Sequence, residues 1–174
     1  KRTESLEIYG PAGIEEFITA NIKVLNFGLP FQVFITIVEE GNVVNEKNYQ
    51  VRCCEAQHGI PAFSYCFEEN EKSGVFYPDK AKELGVPEGK LWQELQNGNS
   101  IEIDGKKIDS SQVTGEKRAG KKIGISGDTR PTEKLEEFFK NSDYLSFDCT
   151  FSFDLKNRAI ETNHSTAKEA AELA

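Results

Sequence analysis

Long hydrophobic runs and methionine are both missing from this sequence of 174 residues. No apolar stretch approaches the roughly 20 residues that a membrane-spanning helix needs, so no such helix is predicted. The opening KRTESLEIYG contains no apolar core of a signal peptide. The absence of methionine, including an initiator, leaves two explanations. Either the sequence is an internal part of a longer chain, or it omits methionine positions, in which case some spacings are short by one.

An excess of positive charge and any pairing of cysteines are also missing. The formal net charge of −8 argues against a protein that coats nucleic acid by charge alone, although it permits a local basic surface. The four cysteines form no C-x-x-C pair and no cysteine/histidine zinc spacing. A free thiol among apolar neighbours behaves as a small hydrophobic side chain. We therefore expect a reduced, cytoplasmic protein.

Strands and helices alternate along the chain, which predicts an α/β fold. The first unit is a strand over 6–9, a tight turn and a helix over 15–22. The spacing of the next three predicted strands indicates a meandering sheet; they cover 31–38, 49–55 and 62–67. A strand over 122–126, a helix over 132–140 and a strand over 144–148 follow. We expect Pro131 to open that helix, and Thr166 with Glu169 to form the capping box of the last one.

Residues 68–120 differ in composition from the rest of the chain: apolar residues are fewer, while glycine, proline and charged residues are more frequent. Two short helices (78–84 and 91–95) and a hairpin (100–108) are expected there. A connection this long is either functional or a small subdomain. Within it, 105–122 holds six basic and two acidic residues, a balance that suits phosphate contacts. A solvated charged loop is the alternative.

Three residues could hold a metal or a phosphate. Asp128 directly follows a predicted strand, where ligands gather in α/β sheets; its alternative role is a turn or helix-capping residue. His58 also stands at a strand end, and its alternative is a hydrogen-bonded structural histidine. His164 precedes a helix N-terminus, where it could contact a phosphate or donate a proton, or simply lie in a surface loop. Because catalytic zinc usually has three protein ligands, we expect that the two histidines and one aspartate do not complete a metal site and that something is missing.

Five motifs in order resemble ribonuclease Z, a zinc-dependent tRNA 3′-end nuclease of the metallo-β-lactamase superfamily. They cover nearly the whole chain, and their order is more specific than any one of them. The matching segments are LEIYGPAGIEEF (6–17), QHGIPAFSYCFEE (57–69), GVPEGKLWQELQNGNSIEIDGKKI (85–108), KKIGISGDTR (121–130), and FDCTF (147–151) followed by NHSTAKEAAELA (163–174).

The resemblance implies a role for each matched residue. His58 would bind one zinc, Asp128 would bridge two, and His164 would assist at the scissile phosphate, oriented by Asp148. The family fold is an αββα sandwich, here partial (1–67 and 121–174), with 68–120 as a projecting arm that grips precursor tRNA. The activity implied is removal of the 3′ trailer by two-metal hydrolysis, in a homodimer. The residues expected to contact RNA are Lys90, Lys106, Lys107, Lys117 and Arg118.

The chain also departs from the family pattern. The His-x-His-x-Asp-His motif and the last zinc-binding histidine of the family are absent, and Phe147 and Asp148 stand where the family's acidic motif has His and Glu. We therefore expect a portion of a longer enzyme that needs the missing parts for catalysis. The alternatives are a non-catalytic RNA-binding or dimer-partner subunit, or another phosphodiesterase of the superfamily.

Overall fold

Two compact units make up the computed structural model, which describes residues 2–26 and 28–174. The first unit, called the core unit here, contains the chain up to Glu69 together with Lys121–Ala174. The second, called the arm unit, is Asn70–Gly120. Helices and strands are mixed in both units, as the α/β prediction requires. Among the described residues, no helix is both long enough and apolar enough to cross a membrane.

The core unit contains a five-stranded sheet and a separate two-stranded sheet. The larger sheet has the spatial order β3 (Gly41–Asn45), β4 (Tyr49–Glu55), β5 (Phe63–Glu69), β8 (Lys122–Ile125) and β9 (Tyr144–Ser146). The smaller pairs β1 (Leu6–Gly10) with β2 (Val33–Ile37) in parallel, because α1 (Ile14–Val24) supplies the crossover that parallel strands need. The predicted meander was therefore wrong in its first strand: β3 takes that place, and β2 lies in the other sheet.

One helix covers one face of the larger sheet. Helix α4 (Glu133–Phe139) packs Leu135 and Phe139 against the sheet, where they form a buried cluster with Cys54. Gly124 of β8 is required for this contact, because a Cβ there would lie 2.4 Å from the Phe139 ring. The helix begins at an N-cap, Thr132, whose side chain accepts a hydrogen bond from the Leu135 amide at 3.2 Å. The prediction that Pro131 opens the first turn was wrong, because the extended N-cap separates it from the helix.

The C-terminal part adds two short helices, α5 (Lys156–Glu161) and α6 (Ala167–Leu173). The predicted capping box of α6 is confirmed, since Thr166 and Glu169 exchange both side-chain-to-backbone hydrogen bonds. Helix α5 was not predicted from the sequence. The segment 147–152 between β9 and α5 is irregular except for one bridge, in which Phe151 pairs with Thr166.

The arm unit has its own hydrophobic core. It contains α2 (Pro78–Glu83), α3 (Lys90–Gln96) and the hairpin β6 (Ile101–Ile103) and β7 (Lys106–Ile108). Leu95, Ile108 and Val113 are almost fully buried within it. Where the arm begins and ends, the Lys72 amide donates to the Arg118 carbonyl at 2.9 Å. The arm is therefore a small folded unit with its own buried hydrophobic cluster.

Candidate metal centre

Three side chains that lie far apart in sequence meet in the core unit. His58 follows β4, Asp128 follows β8, and His164 precedes α6. One ligand atom from each lies within 4.8 Å of those from the other two. The two imidazole rings meet edge to face, with centroids 5.1 Å apart. The structure thus gathers both predicted metal ligands and the predicted phosphate-contacting histidine in one place.

A sharp turn after β8 presents Asp128 at this place. Gly127 adopts the left-handed conformation with φ of +62°, which allows the chain to turn immediately after the strand. Asp128 itself is exposed, whereas its neighbour Thr129 is fully buried. The alternative of a helix N-cap does not apply to Asp128, because Thr132 caps α4. The Asp128 carboxylate is therefore accessible to a cation.

Both imidazole rings of the cluster are held through Nδ1. The Nδ1 of His58 lies 3.2 Å from the Asn163 carbonyl oxygen. The Nδ1 of His164 lies 2.8 Å from Asp148 Oδ2 and 3.3 Å from the Thr150 hydroxyl. An imidazole that donates from one nitrogen to a carbonyl or carboxylate offers the other as a ligand or proton carrier. Nε2 is thus the nitrogen that each ring has for chemistry.

Asp148 orients His164 from a buried position. Its side chain is 1% exposed. It accepts hydrogen bonds from the Thr129 amide (3.0 Å), the Thr150 amide (2.9 Å) and the Thr150 hydroxyl (2.7 Å). Burial by itself raises the pKa of this carboxyl, but the bonds from Thr150, Thr129 and His164 outweigh burial and leave the pKa below its usual value. Asp148 is therefore an ionised acceptor beside the ring at neutral pH.

A second ion pair lies behind His164, and the sequence reasoning missed it. The Arg130 guanidinium donates to Glu169 at 3.0 Å and to the His164 carbonyl at 2.6 Å. The hydrogen bond from Arg130 is the main reason that the pKa of Glu169 falls to about 2; burial opposes it and Thr166 assists it. Both residues stand in the quoted motifs, but Glu169 was assigned only to helix capping. Their pairing is a contact between distant residues, and no spacing in the sequence indicates it.

The residues of the cluster fit a divalent transition metal. Imidazole nitrogen and carboxylate oxygen are among the donors that zinc takes in proteins. Imidazole also suits iron, copper and nickel, so this donor set does not specify the metal. Thiolates are not offered by Cys53, Cys54 and Cys66, whose pKa values are raised by burial, that of Cys66 to about 11. The candidate centre is therefore a nitrogen and oxygen site.

The residues expected to contact RNA are all exposed in the arm unit. They are Lys90, Lys106, Lys107, Lys117 and Arg118. Two of them are paired, Lys117 with Glu71 at 3.1 Å and Lys107 with Asp109 at 3.4 Å. The arm as a whole holds eight basic and nine acidic residues, and Lys121 and Lys122 belong to the core unit. The predicted basic stretch over 105–122 is thus divided between two units.

Comparison with known proteins gives relatives along nearly the whole chain, although no family model matches it. Ribonuclease Z of Nitrosopumilus maritimus is 58% identical over 99% of this chain, and that of Methanosarcina mazei is 41% identical over 99%. Ribonuclease Z of Brevibacillus brevis is 36% identical over 97% of the chain. The chain spans only 58%, 57% and 54% of the lengths of these three relatives.

Two solved structures share the fold. Human tRNase Z, short form, matches 97% of this chain and 55% of its own chain with a TM-score of 0.59 at 18% identity. A metallo-β-lactamase fold protein from Bacillus subtilis matches 100% and 48% with a TM-score of 0.56 at 14% identity. These likenesses confirm the metallo-β-lactamase-type fold predicted from the sequence.

Proposed function

Because the chain belongs to the ribonuclease Z family, we propose that the protein is a metal-dependent endoribonuclease that removes the 3′ trailer of precursor tRNA. The observation that carries this proposal is the meeting of His58, Asp128 and His164 within 4.8 Å. These residues come from three of the family motifs, and they converge at the ends of strands and beside a helix N-terminus. Such a position is where α/β folds bind ligands.

Each residue of the centre has a separate task in this proposal. His58 and Asp128 would hold metal, the first through an imidazole nitrogen and the second through its carboxylate. Zinc, when bound, would activate water and stabilise the departing oxygen of the phosphodiester. His164 presents Nε2 to the scissile phosphate and donates a proton to the leaving oxygen. Asp148 keeps the ring in place through the 2.8 Å contact with Nδ1.

The proposed activity is that of the whole protein. A two-metal centre of the family type needs more ligands than His58 and Asp128, and this chain spans about 58% of its N. maritimus relative. The remaining ligands, including those of the His-x-His-x-Asp-His motif, would come from residues outside 1–174. Zinc as the metal, a homodimer as the assembly and the cytoplasm as the location belong to the same proposal.

The arm unit would bind the tRNA away from the cleaved bond. Its buried core supports a rigid shape, and its exposed lysines and Arg118 are available to backbone phosphates, the dominant source of affinity for nucleic acids. Because basic and acidic residues are nearly balanced in the arm, we expect recognition by a few placed contacts and not by overall charge.

Cleavage of a precursor tRNA with a 3′ trailer tests the proposal. The full-length protein should release the trailer, and Asp128→Ala should abolish release together with metal binding. Asp154→Ala is the matched control, because Asp154 is an exposed acid of the core unit outside the cluster. Trailer release that persists in Asp128→Ala would contradict the assignment. RNA binding without any cleavage by the wild type would favour the non-catalytic subunit.

A further inference from the structure

We propose that Arg130 is the positioning residue of the centre, which holds His164 with its side chain and the loop of His58 with its backbone. The effect on turnover rests on the proposed function, because it requires that His164 acts in catalysis. The effect on the geometry of the two histidines does not depend on it.

The side chain of Arg130 joins two parts of the segment that carries His164. It donates to the His164 carbonyl at 2.6 Å and to Glu169 Oε2 at 3.0 Å, while its other terminal nitrogen contacts Glu169 Oε1. Glu169 in turn accepts the Thr166 amide at 3.1 Å and the Thr166 hydroxyl at 2.8 Å. One guanidinium therefore fixes both the backbone at His164 and the first turn of α6.

The backbone around Arg130 holds the other histidine. The Arg130 amide donates to the Gln57 carbonyl at 3.1 Å, and the Gln57 amide donates to the Thr129 hydroxyl at 3.0 Å. Gln57 directly precedes His58. These two bonds tie the strand end that carries His58 to the segment that carries Asp128, and Arg130 thus contacts both His164 and the residue before His58.

Burial and shape make arginine specific at this position. The side chains of Arg130 and Glu169 are 12% and 8% exposed, so an unpaired charge there would be costly. The planar guanidinium can donate in several fixed directions at once, whereas an ammonium group acts as a point charge. The Lys156 ammonium also lies 3.5 Å from Glu169. Among the described residues, Lys156 makes no hydrogen bond to His164. A cation that only neutralises Glu169, as Lys156 does, therefore cannot replace the hydrogen bond from Arg130 to the His164 carbonyl.

Nuclear magnetic resonance of the histidine rings tests the proposal without any substrate. The chain holds two histidines, so labelling with ¹⁵N-histidine gives two ring spin systems. In the wild type we expect a Nδ1–H tautomer for His164 and an Overhauser contact between the two rings, whose centroids are 5.1 Å apart. Arg130→Lys should lose the contact and give mixed tautomers of His164, with a urea unfolding curve that shows a folded chain.

Lys156→Gln is the matched control, because it removes a cation from the same carboxylate. Both signatures should persist in it. A folded Arg130→Lys that keeps both signatures would overturn the proposal. Equal loss of both signatures in Lys156→Gln would also overturn it, because the effect would then come from loss of any cation beside Glu169. If Arg130→Lys does not fold, Glu169→Gln takes its place: it loosens the guanidinium without removing it, and unchanged ring signals there would overturn the proposal equally.

Kinetics of the full-length protein separate positioning from simple stability. Loss of a hydrogen-bonding partner behind a metal site typically lowers metal affinity or activity about 10–100-fold. We expect kcat to fall by about that factor in Arg130→Lys with KM for precursor tRNA unchanged, while Lys156→Gln keeps both values. A fall in kcat that matches only the unfolded fraction would contradict a positioning role. If the wild type shows no turnover, the proposed function fails, and the resonance result still decides the role of Arg130.

Discussion

Replacement of Asp148 by asparagine removes the charge that orients His164 while keeping the shape of the side chain. The Oδ1 atom accepts two bonds from Thr150, at 2.9 Å and 2.7 Å, and an amide oxygen can keep them. The Oδ2 atom accepts from the Thr129 amide at 3.0 Å and faces His164 Nδ1 at 2.8 Å. In Asp148→Asn an NH2 group takes this place, so it opposes the Thr129 N–H and reverses the tautomer of His164.

The expected loss follows from these contacts. A hydrogen bond to a charged group contributes about 1.5–3 kcal/mol, and the Asp148 side chain is 1% exposed, so solvent offsets little. We expect the free energy of unfolding to fall by about 2–4 kcal/mol at pH 7. Because the pKa of Asp148 is lowered in the fold, its ionised form stabilises the protein above about pH 4, and this contribution is lost as the pH falls. The difference between wild type and variant should therefore shrink in acid.

Urea unfolding at pH 7 and pH 3, together with cleavage of precursor tRNA, measures both effects. Turnover should fall about 100-fold, within the range assigned to a general acid. Asp143→Asn is the control: Asp143 forms a surface ion pair with Lys121, and solvent screens such a pair, so this variant should lose far less stability. Wild-type stability and turnover in Asp148→Asn would show that Asp148 does not orient His164.

Three further expectations concern other parts of the chain. Gly124→Ala should lower the free energy of unfolding by about 1–3 kcal/mol, because its Cβ meets the Phe139 ring; an unchanged urea midpoint would contradict the packing. Since the pKa of Glu169 is lowered from 4.5 to about 2, the free energy of unfolding should fall by about 3 kcal/mol between about pH 5 and pH 2. In Glu169→Gln the free energy of unfolding should depend less on pH over this range. Replacing 70–120 by a short glycine linker should weaken tRNA binding and spare hydrolysis of a small phosphodiester; equal loss of both would make the arm structural.

Controls accompany these expectations. Gly28→Ala is the match for Gly124→Ala, since nothing lies within 4 Å of a Cβ there. Removal of the arm is feasible because its ends are adjacent: the Glu69 amide donates to the Lys121 carbonyl at 2.9 Å. Circular dichroism of the shortened chain should show a folded core unit, and binding is then compared at equal folded concentration.

Local patterns predicted those elements that local forces determine. Strand β4 has the predicted bounds, since Tyr49–Glu55 is rich in residues that favour strands. The capping box of α6 followed from two residues three positions apart. Strand β3 was missed because it begins at Gly41, a residue that usually marks a turn, and its stability depends on pairing with β4 in the register Gly41–Cys53 to Asn45–Gln50.

The candidate site was predictable only as separate residues. His58, Asp128 and His164 each stand beside the end of an element, but their separation in sequence is too large for any periodicity to relate them. The resemblance to a family brought them together before the structure did. Arg130 and Glu169 had no such signal, because their pairing depends on how α6 lies against the loop after β8.

His58 and Asp128 are proposed to hold metal beside His164, and calorimetric titration of the full-length protein with zinc measures this property without any substrate. We expect saturable zinc binding, with the ligands beyond His58 and Asp128 supplied by the rest of the protein. Loss of a hydrogen-bonding partner of a metal ligand weakens metal binding about 10–100-fold. Asp128→Ala removes a ligand itself and should weaken zinc binding by more than that, whereas Asp154→Ala should leave zinc binding unchanged. Equal zinc affinity in all three proteins would contradict the claim.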